Sequence, residues 1–442
     1  MIEDSLISGQ HPIRSHPPAD DTGRAHALPE SSLDSDVVTS PQGQPRRDIK
    51  HRLSSHWNLF TTRANAPYQA ALLRMGFALT FGVFLLREWP NRRVLYGDLS
   101  PWNTALLRQQ LAQNHAFTLL AWSSGRIWFE LIYTAAIVVS ILTLLGWRTR
   151  TMSVLFMIMV LSIENRDVWL GDGGDNVMQL MAVYLAFTRS GQVWSLDARR
   201  KRLSNPTTLA SDHTGIVLWI LLGALLATAQ ITGFATPGML NFGTLASWPP
   251  LAGWATVFWA IWAGCGLRHW LRRKKPGKDL ELFLEYAGNM LHNCAMLVIA
   301  AQVCIIYGTA GWEKIQGALW QHGTAVYFPL HIAYFQAWPF LSNLLTASTT
   351  AVFLVTYGTV FAQVLFPFAI LNRKAKNTLL AFMFIEHICI AVLLGLPFFS
   401  LAMIFSDSVF LPTRFLLWVR SKLTWRISGS GRTLGEENQT LR

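Results

Sequence analysis

Apolar residues in this chain gather into long blocks, separated by short stretches where glycine, proline and charged residues concentrate. The blocks fall at 69–88, 126–145, 151–163, 176–188, 214–236, 250–267, 288–307, 350–371 and 378–396. Most approach the roughly 20 residues that a helix needs to cross a hydrocarbon core of about 30 Å. The pattern predicts an all-α fold, a polytopic transmembrane helical bundle of about nine spans. Segments 151–163 and 176–188 are too short to cross upright, so the intervening "IENRD" and "GDGGDN" are expected to dip into a water-filled interior, because bare backbone cannot face lipid. The later stretch "FFSLAMIFSDSVFLP" reads as a further short or re-entrant segment.

Composition agrees with this picture. The 442 residues are 51% hydrophobic and only 14% charged, against roughly 25% charged in soluble domains, so a lipid bilayer is the first expected partner. The basic clusters "PQGQPRRDIKHR", "GWRTRT", "DARRKR", "RHWLRRKKPGK", "NRKAK" and "TRFLLWVRSK" flank alternate ends of the spans, and the positive-inside rule assigns all of them to the cytoplasm. The expected product is a multi-pass protein of the cell membrane with a cytoplasmic N-terminus. Residues 89–125, 164–175, 237–249 and 308–349 then face the extracytoplasmic side. These flanks account for the net charge of +12 and remove the reason to expect a nucleic-acid partner. Residues 1–65 lack an apolar period and are rich in Ser, Pro, Asp and Arg, which predicts a disordered cytoplasmic tail ahead of a transmembrane domain at 66–415. Residues 416–442 read as a second cytoplasmic tail. The four cysteines lie inside apolar spans without a Cys-x-x-Cys pair, as small buried hydrophobes rather than a disulfide framework.

Three polar clusters interrupt the apolar pattern. In "YGTAGWEKIQGALWQHGTAVYF", residues 307–328, a helix over 309–321 would place Lys314 on one face with Gly317 and Ala318, leaving room beside the ammonium for a ligand. Lysines withdrawn from water are those that proteins use as general bases or Schiff-base amines. A lysine snorkelling to the interface, its stem on Trp312 and Trp320, fits the same residues. The second cluster, "ENRDVWLGDGGDN", joins the two short segments and is expected to pair Arg166 with Asp167, Asp172 or Asp175, because ionisable residues at membrane depth need partners. A glycine-rich turn held by that ion pair is the plainer account. The third cluster places Glu386 and His387 inside the apolar run "FIEHICIAVLLG". Neither an HExxH, a P-loop, a GxGxxG nor a serine nucleophile elbow occurs, and no metal-ligand spacing is present.

Together these three segments, with "NRDVWLGDGGDNVMQLMAVYLAF" continuing to "WSLDARR" and "EHICIAVLLGLPFFSLAMIFSDSVFL" running on from the third, resemble the signatures of the HTTM domain. That is the membrane domain of vitamin K-dependent gamma-glutamyl carboxylase and its bacterial relatives, and the likeness covers about 65–415. It implies that Lys314 is the base that deprotonates a reduced quinone and that His387 belongs to the same site. A family histidine after the hairpin asparagine corresponds to the position after Asn165, where this chain has Arg166. Arginine suits anion stabilisation better than proton transfer, because it stays protonated. The resemblance is to the single-domain type, without the large lumenal domain. Under this reading the catalytic candidates are Lys314, His387 and Arg166, and Asn165, Asp172, Asp175, Trp312, Trp320 and His322 would contact substrate. Two functions follow: a quinol- or peptide-directed membrane enzyme, or a non-catalytic membrane factor that binds a lipid or peptide and assists peptide maturation, export or immunity.

Overall fold

A computed structural model describes residue 58 and residues 60–114, 116–167, 169–203, 214–232, 254–273 and 277–422. Among these residues the fold is all-α, with no strand. The principal helices are α1 (Pro67–Arg87), α2 (Thr104–Asn114), α3 (Arg126–Leu145), α4 (Thr149–Glu164), α5 (Gly173–Ala186), α6 (Thr214–Ile231), α7 (Trp254–Arg273), α8 (Lys278–Gln316), α9 (Thr349–Ala369), α10 (Arg373–Leu393) and α11 (Pro397–Asp407). Each of the nine predicted apolar segments has a helix as its body, with several ending a few residues short of the predicted limit. Five helices, α1, α3, α8, α9 and α10, are long and apolar enough to cross a membrane. A sixth span results if the bent pair Pro397–Phe410 and Thr413–Lys422, at 116° to each other, counts as one. The α4 and α5 helices have only 16 and 14 residues, and charged residues at the end of α7 dilute its apolar run. The tail before residue 58, the loop 237–249 and the chain beyond 422 lie outside the described residues.

Helix α1 is the hub. Its apolar window is 67% buried, against 17% for α10, because α3, α5 and α11 all pack around it. Gly76 makes the α11 contact possible: a Cβ there would stand 2.1 Å from the ring of Phe405. The α8 helix runs along α9, and α10 along α11. At about 1.5 Å per residue, the 39 residues of α8 extend to nearly twice the hydrocarbon thickness. Its first turns therefore project beyond lipid. The α6–α7 hairpin is closed by Trp219 and Trp262, stacked at 4.2 Å, each indole N–H donating to the other's carbonyl at 2.9 Å.

Two polar devices hold the ends of these helices. Arg74 of α1 is fully buried and donates to the carbonyls of Thr143, Leu144, Ser190 and Trp194. It thereby satisfies the last carbonyls of α3, which have no intrahelical donor. Asp197, from the "WSLDARR" segment, accepts from the Arg148 and Thr149 amides at 2.9 and 2.7 Å and so caps α4.

A third device is a clamp on the chain leading into α1. Asn289, His292 and Asn293, one turn of α8, are all buried. Asn293 donates to the carbonyls of Phe60 and Arg63 and accepts from the Asn65 amide at 2.7 Å, while His292 Nε2 meets the Asn65 carbonyl at 2.8 Å. Residues 60–65, placed in the tail by their composition, are thus fastened to α8. Replacing Asn293 by Ala is expected to speed amide hydrogen exchange over 60–66 by about tenfold, the equivalent of one or two lost hydrogen bonds. Unchanged protection there in deuterium-exchange mass spectrometry would show that other contacts hold the segment.

Candidate functional site

The α8 helix carries Tyr307, Gly311 and Lys314 at spacings of four and three, so all three lie on one stripe. That stripe faces α9 rather than Gly317 and Ala318. The expected helix over 309–321 breaks instead: α8 ends at Gln316, and Gly317 has extended backbone at φ −80° and ψ 126°. Gly311 sets the separation of the two helices, because a Cβ there would come within 2.7 Å of the Val364 side chain. With α9 this close, Lys314 Nζ donates to Gln363 Oε1 at 2.9 Å. Gln363 Nε2 donates in turn to Glu386 Oε1 of α10 at 2.7 Å. Pro367, one turn further along α9, has no N–H to give the Gln363 carbonyl, so the backbone is locally opened at the same level.

A second chain of hydrogen bonds lies beside the first. Tyr307 Oη donates to Asp407 Oδ2 at 2.8 Å and meets His387 Nε2 at 3.0 Å. With the phenol proton given to Asp407, His387 is the Nε2–H donor, and its Nδ1 presents a lone pair. Tyr307, His387 and Asp407 are at most 2% exposed. Four polar atoms of this region are buried with no hydrogen-bond partner: Glu386 Oε2, His387 Nδ1, Asp407 Oδ1 and Ser400 Oγ. Buried polar atoms are rarely left unpaired, so such a concentration marks a place that is completed by water or a ligand. Chemically, the cluster sets one cation against two carboxyl groups, with an imidazole and a phenol between them.

Gln363 lies roughly 20 Å along α9 from its first residue and about 9 Å from its last, and Lys314 beside it is half-buried. Its neighbour Trp320 covers it as a cation–π partner, 5.2 Å from the ammonium to the ring centroid. Trp312 is 64% exposed and points away, and His322 is exposed beyond the helix break.

The charged hairpin is organised for other ends. Arg166 makes no ion pair with Asp167, Asp172 or Asp175. Its Nη2 donates to the carbonyls of Trp102 and Gly97 at 2.9 and 3.4 Å, in the loop ahead of α2. Asp172 and Asp175 are a capping box for α5: Asp172 accepts from the Gly174 amide at 2.6 Å, and Asp175 accepts from the Asp172 amide at 2.7 Å. Asn165 donates to the Phe117 carbonyl at 3.0 Å, and Asp167 accepts from the Trp169 amide at 3.0 Å. The hairpin reaches the Lys314 region only through packing. Gly174 lets the Phe399 backbone approach to within 2.6 Å of where a Cβ would be, and the Phe399 ring meets His387 at 5.7 Å.

The structure therefore joins Lys314, His387 and Trp320, and leaves Arg166, Asn165, Asp172, Asp175, Trp312 and His322 outside their hydrogen-bonded cluster. Tyr307, Gln363, Glu386 and Asp407 complete it. Gln363 and Asp407 carried a signal, as isolated polar residues in apolar stretches, and Tyr307 falls seven residues before the lysine. Comparison with protein-family models, curated proteins and solved structures finds no match for this chain.

Proposed function

We propose that this integral membrane protein is an enzyme of the HTTM type that takes a proton from an acidic, largely apolar molecule admitted from the bilayer, with Lys314 as the base. A reduced quinone is the substrate class that the sequence resemblance suggests. The observation that carries this reading is the buried chain Lys314–Gln363–Glu386, set beside His387–Tyr307–Asp407 and left with unpartnered oxygen and nitrogen atoms. Gln363 orients the amine and the carboxylate towards each other, and His387 Nδ1 is free to accept a hydrogen bond from a hydroxyl. Two of the three sequence signatures supply all of these residues except Gln363, which supports the family reading. The proposed topology puts the basic clusters in the cytoplasm and the loops at 88–125, 165–172 and 317–348 on the opposite face, with about nine crossings when α4, α5, α6 and α7 are counted and the bent segment after α10 returning the last cluster to the cytoplasm.

One observation favours the non-catalytic alternative, a factor that binds a lipid or peptide. The hairpin signature contributes no side chain to the cluster, and the family histidine is replaced by Arg166. The test is to purify the protein in a mild detergent and identify small molecules extracted from it by mass spectrometry. A quinone or comparable hydroxyl-bearing apolar molecule near one per chain, lost in Glu386→Ala and His387→Ala, supports the enzyme. Phospholipid alone, equal in wild type and variants, overturns it.

A further inference from the structure

Between α2, α3 and the end of α4 lies a cleft of about 170 Å³, apart from the Lys314 cluster. Arg166 lines it and is 94% buried by its 6% exposure, yet its Nη1 has no hydrogen-bond partner. The Trp102 indole N–H, on the same wall, is also buried and unpartnered. Two unpartnered donors thus belong to residues that line one cleft. A buried guanidinium with an idle nitrogen carries a large desolvation cost that a bound anion would offset.

The rest of the wall has the same character. Ser100 and Ser123 accept from backbone amides through their oxygens, at 3.2 and 3.1 Å from the Trp102 and Gly125 nitrogens, which leaves their O–H groups available to donate. Ser124 and Thr104 add two more hydroxyls, and Thr104 opens the eleven-residue helix α2, whose first N–H groups favour negative charge. The one acidic lining residue, Asp98, is held by Arg93 through two hydrogen bonds of 3.0 and 2.7 Å. That pairing keeps the Asp98 carboxyl below its ordinary range and neutralises its field in the cleft.

We infer that this cleft is an oxyanion site for a phosphate group, with Arg166 Nη1 and Trp102 Nε1 as its principal donors. A carboxylate would offer two oxygens to a wall with eight donor-bearing side chains, whereas phosphate offers three or four. The phosphate comes either free from solution or as a lipid headgroup. This site explains why an arginine can stand unpaired with any acid at the end of α4. It does not depend on the catalytic reading of Lys314.

The test is thermal unfolding of the full chain in an uncharged detergent at constant ionic strength. Inorganic phosphate is titrated against chloride, and phosphatidylglycerol against phosphatidylcholine in mixed micelles. A saturable rise in unfolding temperature with phosphate assigns the free anion, and a rise with phosphatidylglycerol alone assigns the headgroup. Trp102→Phe removes an N–H that bonds nothing but also trims a ring packed on Leu107 and Leu111, so its anion response is read against its own unliganded unfolding temperature, and it should weaken the anion about tenfold. Arg166→Gln should weaken it at least as much. Absence of any rise in wild type, or an equal rise in Trp102→Phe, overturns the site.

Discussion

Replacing Arg74 by methionine is expected to cost about 3 kcal/mol or more, and to do so without touching any part of the candidate site. The guanidinium is fully buried and is the donor for four carbonyls, at the end of α3 and in the segment 190–194. Methionine fills much of the same space but leaves the Leu144, Ser190 and Trp194 carbonyls unpaired, each at about 1–3 kcal/mol, while the Thr143 carbonyl keeps the Gly146 amide. Gly146 shows how closely this region is built: it turns the chain at φ +69°, and a Cβ there would stand 2.9 Å from Arg74 Nη1. Lysine at 74 can reach only some of the carbonyls, so Arg74→Lys should fall between methionine and wild type. Arg87→Met, at the exposed end of the same helix, should cost less than about 1 kcal/mol, because its ion pair with Glu88 is at the surface. Denaturation by titrated sodium dodecyl sulfate gives the comparison. Equal midpoints for the variants at 74 and 87 would mean that water replaces the guanidinium.

Arg74 also shows where a single sequence stops being informative. The apolar blocks marked the helices well, since lipid and core both demand long apolar runs with few interruptions. The helix ends and the pairing of polar residues were another matter. A buried arginine bonded to carbonyls has no complementary acid to be found in the sequence, so the same reasoning that overlooked Arg74 also gave Arg166 an ion pair. Both arginines bond backbone instead. Asp172 and Asp175 illustrate the converse, because an aspartate followed three residues later by another, just ahead of an apolar run, is already the spacing of a helix cap. The seven-residue step from Tyr307 to Lys314 was equally legible as one helix face. What no spacing could give was α9, which delivers Gln363 to that face because Gly311 lets it approach.

Lys314→Met should abolish turnover while leaving the fold nearly intact. The methionine stem keeps the packing against α9, and of the two bonds lost the one to Gln363 is worth about 1 kcal/mol, while the Ala310 carbonyl at 3.5 Å is a long and weak partner. Loss of a general base, by contrast, slows a reaction by about 10²–10⁴-fold. The decisive variant is Lys314→Arg. Arginine can still donate to Gln363 Oε1 and can still lie against Trp320, so every binding or anchoring role of the lysine survives in it. It cannot give up its proton, and a base that never deprotonates is no base. If Lys314 takes a proton from substrate, arginine and methionine are equally inactive. The measurement is oxidation of a naphthoquinol by dissolved dioxygen, with the protein in lipid nanodiscs, followed by absorbance against the rate without protein. Wild type above that background with both variants at background is the expected result. A Lys314→Arg protein that turns over like wild type rejects proton abstraction by this residue, and wild type at background makes the cluster a polar anchor for a bound lipid or peptide.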